Sequence, residues 1–186
     1  MGLNLLNYLK TKLIILALKQ KDLISQMLTA TKSSRINISK ENKTKSVAEI
    51  LSKNIKHGDI IFLKGELGVG KTTFIKFLIN FLQKNKNEKI TEIPSPTFNI
   101  VNEYKLENLN IKHCDLYRVK NKEELNNLGI FENNFNEIIF IEWPEILKNY
   151  NLKNVLELYF EYDKNYKNRF LTFSSSSNIS YLNEFK

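Results

Sequence analysis

Residues 60–63 and 138–141 form two uninterrupted apolar runs in a body, from about residue 39 on, that is otherwise of mixed polarity. Short continuous runs of this kind, as opposed to alternating ones, are expected of strands buried on both faces. After the first run, Phe74, Phe77, Leu78, Phe81 and Leu82 recur at helical spacing. A helical pattern also precedes it, with Val47, Ile50, Leu51 and Ile55 as the apolar stripe, Ser39 as candidate cap and Gly58 beyond the end. Residues 93–97 are predicted to be a non-helical loop, because Pro94 and Pro96 each bias the preceding residue away from the α region. Residues 98–104 and Leu109–Asp115 read as two strands joined by a polar turn at Glu107 and Asn108. Asn121 opens a short helix with Glu124 in the capping-box position and Gly129 as its stop. Val155–Tyr162 and residues 169–173 predict a final hairpin. No internal repeat and no interdomain linker is visible.

The segment between the first strand and its helix reads Gly-Glu-Leu-Gly-Val-Gly-Lys-Thr over residues 65–72 and meets every fixed position of the phosphate-binding loop pattern G-x-x-x-x-G-K-[ST]. Strand, glycine loop and helix occur in the order the mechanism requires. The glycines let backbone N–H groups point inward, and the helix N-terminus adds positive potential where phosphates sit. Lys71 brings a compact charge to the outer phosphates, and the Thr72 hydroxyl suits Mg²⁺. The predicted fold class is therefore α/β: a three-layer P-loop NTPase with a mixed, mainly parallel central sheet and a C-terminal β-hairpin.

Composition changes this picture little. The chain has 186 residues, enough for one domain with a sizeable core. Its single cysteine, Cys114, excludes an internal disulfide framework and fits a reducing compartment, and no zinc-ligand spacing is present. The net charge of +8 is unevenly placed: residues 1–40 carry +6 and the remainder only +2. The chain is expected to divide into a basic extension (1–38), an ATPase domain (39–173) and a polar tail (174–186). Leu13 to Leu18 is the only strongly apolar run of the extension and is too short to span a membrane. Leu5, Leu6, Leu9, Leu13, Leu16, Leu23 and Met27 are spaced for a loosely amphipathic helix. Three readings of the extension stay open: a packing helix, a targeting or surface-seeking segment, or a start placed too early, with Met27 as the true one.

Three further places carry candidate chemistry. Glu142 ends the second apolar strand, where a P-loop protein keeps the acid that holds Mg²⁺, although a surface carboxylate would look the same. Ser95, Pro96 and Thr97 lie where a switch loop is expected, with Thr97 positioned to sense the γ-phosphate or its metal; a rigid proline turn is the alternative. The stretch His113-Cys114-Asp115-Leu116-Tyr117-Arg118 puts His113, Asp115 and Tyr117 on one side of a strand end. Asp115 suits the orientation of an attacking water or of a metal-bound water, and Arg118 suits a phosphate or a partner. His113 by itself is read as a structural histidine, and Cys114 as core.

The set GELGVGKTT, SPTFNIVNEY, HCDLYR and IEWPE, in this order and spacing, resembles the TsaE (YjeE) family of bacterial tRNA threonylcarbamoyladenosine (t6A) biosynthesis ATPases. The resemblance runs from about Ser39 to Phe173. It implies a compact P-loop fold with a mixed sheet that binds ATP and Mg²⁺ and hydrolyses ATP weakly by itself. It also implies a cytoplasmic role with the TsaB–TsaD complex, which modifies adenosine 37 of tRNAs reading ANN codons, with the ATPase resetting that complex between turnovers. tRNA contact would then be indirect, through the complex. By position, Gly68, Val69, Gly70, Lys71, Thr72 and Thr73 would cradle the phosphates, with Thr72 and Glu142 on the metal. Thr97 would lie in the first switch loop and Asp115 in the second, giving Lys71, Thr97 and Asp115 the catalytic roles. Thr44 falls where the family contacts the nucleotide, and Arg169 is expected to approach base or ribose. The basic extension departs from the family, and Cys114 stands where members often carry an aromatic. Two other functions compete: a small-molecule kinase, for which the chain has few arginines (Arg35, Arg118, Arg169), and a nucleotide-dependent module attached to membrane or RNA by its extension.

Overall fold

The computed structural model describes Lys12 and residues 35–132 and 134–175. The expectations for the N-terminal extension lie outside the described residues, apart from its last few positions, as do those for the tail beyond Ser175. Seven strands form one sheet in the order β1-β7-β6-β2-β5-β4-β3. They are β1 (Ile36–Asn37), β2 (Ile60–Lys64), β3 (Val101–Leu106), β4 (Leu109–Asp115), β5 (Glu137–Glu142), β6 (Val155–Tyr162) and β7 (Arg169–Ser175). The helices are α1 (Glu41–Ser52), α2 (Lys71–Asn85) and α3 (Lys122–Asn127), with a short 3-10 turn at Pro144–Leu147.

The central strands β6, β2, β5 and β4 run parallel, while β3, β7 and β1 pair antiparallel at the two sides. The sheet is mixed as expected, but half of its pairings are antiparallel, so "mainly parallel" holds only for its centre. The two hairpins β3–β4 and β6–β7 supply the antiparallel margins, because strands joined by short turns return beside their neighbours.

The apolar runs are buried on both faces, and alternation divides them between two cores. Ile61, Leu63, Ile138 and Phe140 face α1 and α2, joined by Phe74, Ile75, Leu78, Ile79 and Leu82 from α2. Ile60, Phe62, Ile139 and Ile141 face the opposite layer of α3 and the Pro144–Leu147 turn. The rings of Phe74 and Phe160 meet edge to face at 5.5 Å. Each such buried side chain contributes roughly 1.5–3 kcal/mol. The stripe of α2 is rotated from the expected one: Ile75 and Ile79 are fully buried, whereas Phe77 and Phe81 sit at the margin.

Local signals met their expected outcome at α3. The Asn121 side chain accepts the Glu124 N–H at 2.8 Å, and Glu124 returns a bond to the Lys120 N–H at 3.0 Å. At α1 the expectation fails. Lys40, not Ser39, is the cap residue, and its side chain makes no capping bond. Ser39 serves the sheet instead: its hydroxyl accepts the Arg169 N–H at 2.9 Å and its carbonyl accepts the Arg169 guanidinium at 3.1 Å. The strand expected from Phe98 begins only at Val101, because residues 96–99 form a turn followed by a left-handed Ile100 (φ 66°). Ser174 and Ser175, expected in the tail, belong to β7, and Ile36 and Asn37, expected in the extension, pair with it. Among the described residues, no helix is long and apolar enough to cross a membrane.

Asp59, at the foot of β2, is buried and accepts the Lys56 N–H at 2.9 Å. Burial outweighs that bond and pushes its carboxyl up to about 6 from the ordinary 3.8. A pKa raised by folding means that protonation stabilises the fold fully below about 3.8 and that this gain is lost as pH rises through about 6. Asp59→Asn keeps an acceptor and removes the charge. It is expected to raise stability at pH 8 by roughly 1–3 kcal/mol and to change it little at pH 4. Thermal melting of both chains across that range checks this; a gain independent of pH would refute it.

Candidate phosphate and metal site

The phosphate-binding loop leaves β2 at Gly65 and enters α2 at Gly70, both with positive φ (137° and 111°). Gly65 lies so close to β6 that an added Cβ would stand 2.3 Å from the Phe160 carbonyl oxygen. Only glycine meets both demands there. Gly70 is the cap residue of α2, and no side chain bonds that helix start. The N-terminal amides of a 15-residue helix are thus left to an external anion.

Lys71 is buried, and its ammonium group donates to the Gly65 carbonyl at 2.7 Å and the Glu66 carbonyl at 2.9 Å. The indole of Trp143 covers it at 4.0 Å. Burial lowers its pKa, while the charges of Glu142, Asp115 and Glu145 act in the opposite sense. The cation is held among carbonyl dipoles and a ring face, with carboxylates nearby but none bonded to it. Such a group favours an arriving polyanion.

Glu142 and Asp115 end adjacent parallel strands and are direct register partners. The Thr72 hydroxyl donates to Glu142 Oε1 at 2.7 Å. His113, fully buried, reaches the same oxygen through Nε2 at 2.9 Å, while its Nδ1 has no partner. The proton therefore belongs on Nε2, where it holds the Glu142 carboxylate against Thr72. Asp115 takes two bonds: its Oδ2 accepts the Thr97 hydroxyl at 2.8 Å and its Oδ1 accepts the Tyr117 N–H at 3.1 Å. Ser95 meets Thr97 at 2.8 Å, and the Arg118 guanidinium donates to the Thr97 carbonyl, fastening the proline loop over the carboxylates.

A pocket of about 170 Å³ opens beside the loop, lined by Ile38, Thr44, Gly70, Thr73, Phe77 and Arg169 among others. It gathers the two outlying sequence candidates, Thr44 and Arg169, with the helix start. The Thr44 hydroxyl is already committed to the Ile38 carbonyl at 3.0 Å, so Thr44 offers the pocket its methyl and shape more than a donor. Thr44, Val69, Gly70, Thr73 and Arg169 line this pocket, whereas Lys71, Thr72, Thr97, Asp115 and Glu142 belong to the contacts at the strand ends. Sequence reasoning missed three residues: His113 as the anchor of Glu142, Trp143 as the cover of Lys71, and Tyr162, whose hydroxyl reaches the Gly68 carbonyl at 3.0 Å. The motif IEWPE offered a signal for Trp143; nothing local pointed to Tyr162. Cys114 is buried core, its thiol pushed up to about 12 by burial and therefore inert.

Donors and charge suit a nucleotide phosphate with Mg²⁺: a hydroxyl and a carboxylate in contact, a second carboxylate beside them, and a buried ammonium facing an uncapped helix start. Gly65→Ala tests whether the loop geometry is as tight as drawn. It is expected to lower stability by more than about 2 kcal/mol and to weaken nucleotide binding in whatever remains folded. Denaturant unfolding of a variant equal to the parent would show that β6 does not press on the loop.

The family model described as "Threonylcarbamoyl adenosine biosynthesis protein TsaE" matches residues 38–170. The Rickettsia typhi protein named "tRNA threonylcarbamoyladenosine biosynthesis protein TsaE" is 44% identical over 112 residues, which are 60% of this chain and 74% of that one. The Rickettsia prowazekii protein of the same name is 42% identical, with the same two shares. Among solved structures, YdiB of Bacillus subtilis superposes with a TM-score of 0.61 at 23% identity, covering 81% of this chain and 90% of that one; this shows a shared fold. The matched span contains β2, the phosphate-binding loop, the proline loop and both carboxylates, and the chain belongs to the TsaE family of threonylcarbamoyl adenosine biosynthesis proteins.

Proposed function

We propose that the chain is the ATP-binding, slowly ATP-hydrolysing subunit of tRNA threonylcarbamoylation, acting in the cytoplasm on a TsaB–TsaD complex. The reading rests on one observation: Lys71, the Thr72–Glu142 pair and the Thr97–Asp115 pair converge at the ends of three adjacent strands. Family membership supports the pathway, and the geometry favours nucleotide chemistry.

In this reading Gly68, Val69, Gly70, Thr72 and Thr73 turn backbone N–H groups to the phosphates. Lys71 exchanges the Gly65 and Glu66 carbonyls for phosphate oxygens, which repays the cost of its burial. Thr72 and Glu142 would hold Mg²⁺, whose charge offsets that building up on the phosphates. Asp115 orients the attacking water, and Thr97 holds that carboxylate in place from the first switch loop. Arg169 and Thr44 flank the sugar and base. A body outside the first forty residues with a net charge of only +2 supports contact with tRNA through the partner complex.

ATP turnover by the purified chain is expected to be slow and to rise several-fold when TsaB–TsaD is added; no response to the pair would sink the pathway assignment. Lys71→Ala and Glu142→Ala are expected to lose Mg-ATP binding or turnover by at least about 100-fold. Asp115→Ala is expected to bind ATP yet fail to turn it over, measured by calorimetry and single-turnover hydrolysis. Retained hydrolysis in that variant would remove Asp115 from the chemistry.

A further inference from the structure

The tip of the phosphate-binding loop is bare. Leu67 is 76% exposed, and no atom lies within 4 Å of where a Gly68 Cβ would be. Gly68 has φ +77°, a backbone conformation that favours glycine, but no neighbouring side chain packs on it. Packing holds the Val69 side chain in the core but leaves the Gly68 side of the Gly68–Val69 peptide, with its carbonyl, open. One side-chain bond reaches it: the Tyr162 hydroxyl, at the end of β6, donates to the Gly68 carbonyl at 3.0 Å.

The peptide is planar and trans, so its carbonyl and the following N–H point in opposite directions. A carbonyl held outward by Tyr162 obliges the Val69 N–H to face into the loop. There it makes only a long bond, 3.4 Å, to the Glu66 carbonyl, one of the two carbonyls that also hold Lys71. Tyr162 is itself held in place. It pairs with Arg169 across the hairpin, and its ring lies 5.3 Å from that of Tyr166.

We infer that Tyr162 is a positioning residue of the phosphate site, acting through the Gly68–Val69 peptide to aim the Val69 N–H at the nucleotide phosphates. The inference rests on the proposed nucleotide binding at this loop. Tyr162 touches no reacting atom. Without its hydroxyl, the peptide keeps only the long Val69 bond to the Glu66 carbonyl, and more of the cost of its inward orientation falls on nucleotide binding.

Tyr162→Phe keeps the ring and its contact with Tyr166 and removes only the hydroxyl. Since one hydrogen bond is at stake, ATP and ADP, each with Mg²⁺, are expected to bind roughly 3- to 10-fold more weakly by calorimetry. KM for ATP should rise by a similar factor while kcat at saturating ATP stays close to the parent value. The melting temperature should not move, since the bond lies at the surface. A variant binding ATP within twofold of the parent overturns the inference, and so does a loss confined to kcat. If the parent itself binds no nucleotide, the proposed function fails and this inference fails with it.

Discussion

Parallel register between β2, β5 and β4 is the constraint on which the site depends. It pairs Leu63 with Glu142 and Glu142 with Asp115. Leu63 is fully buried, so the strand cannot slip by one residue without turning its apolar side chains from one core to the other. The loop therefore begins one turn of chain beyond a fixed point, and both carboxylates end their strands beside it. The spacing of the two carboxylates follows from strand packing, with no help from the carboxylates themselves, which would repel each other if left alone.

That repulsion is managed by neighbours. Glu142 is solvated locally by bonds from Thr72 and His113, and Asp115 by bonds from Thr97 and Tyr117. The Lys71 ammonium completes the balance at longer range. Each carboxylate takes donors from two directions, which fixes its plane as well as its place. The arrangement keeps three buried charged groups soluble in the protein interior, where a lone one would be expelled or neutralised.

Backbone strain sits beside the same groups. Trp143, immediately after Glu142, is left-handed (φ 57°), as is Ile100, whose carbonyl accepts the Asp115 N–H at 2.9 Å. A left-handed β-branched residue is unusual and costs on the order of 1–3 kcal/mol. Ile100 turns the proline loop back into β3, and Trp143 turns the chain so that its ring covers Lys71. Both distortions deliver a loop or a ring to the site that regular strand geometry would carry away from it.

Six of the seven strands, the order of those elements, the phosphate-binding loop and the ends of β4 and β5 were legible in the sequence, but β1 was not. Continuous apolar runs, a proline pair, a capping box and a glycine pattern are local signals that each act within a few residues. Glu142 and Asp115 could be named because strand ends are local too. Ser39 was misplaced because its hydroxyl answers to the Arg169 amide, 130 positions away, and not to its own helix. His113 was read as structural because its partner lies on the next strand. Tyr162 gave no signal because its partner is a backbone carbonyl 94 residues distant. The sequence by itself determined where most strands and helices of the body lie and which charged side chains stand at the phosphate-binding loop and the strand ends. The tertiary structure alone decided which oxygen each of them faces, because hydrogen bonds are set by distances between strands that the chain brings together only on folding.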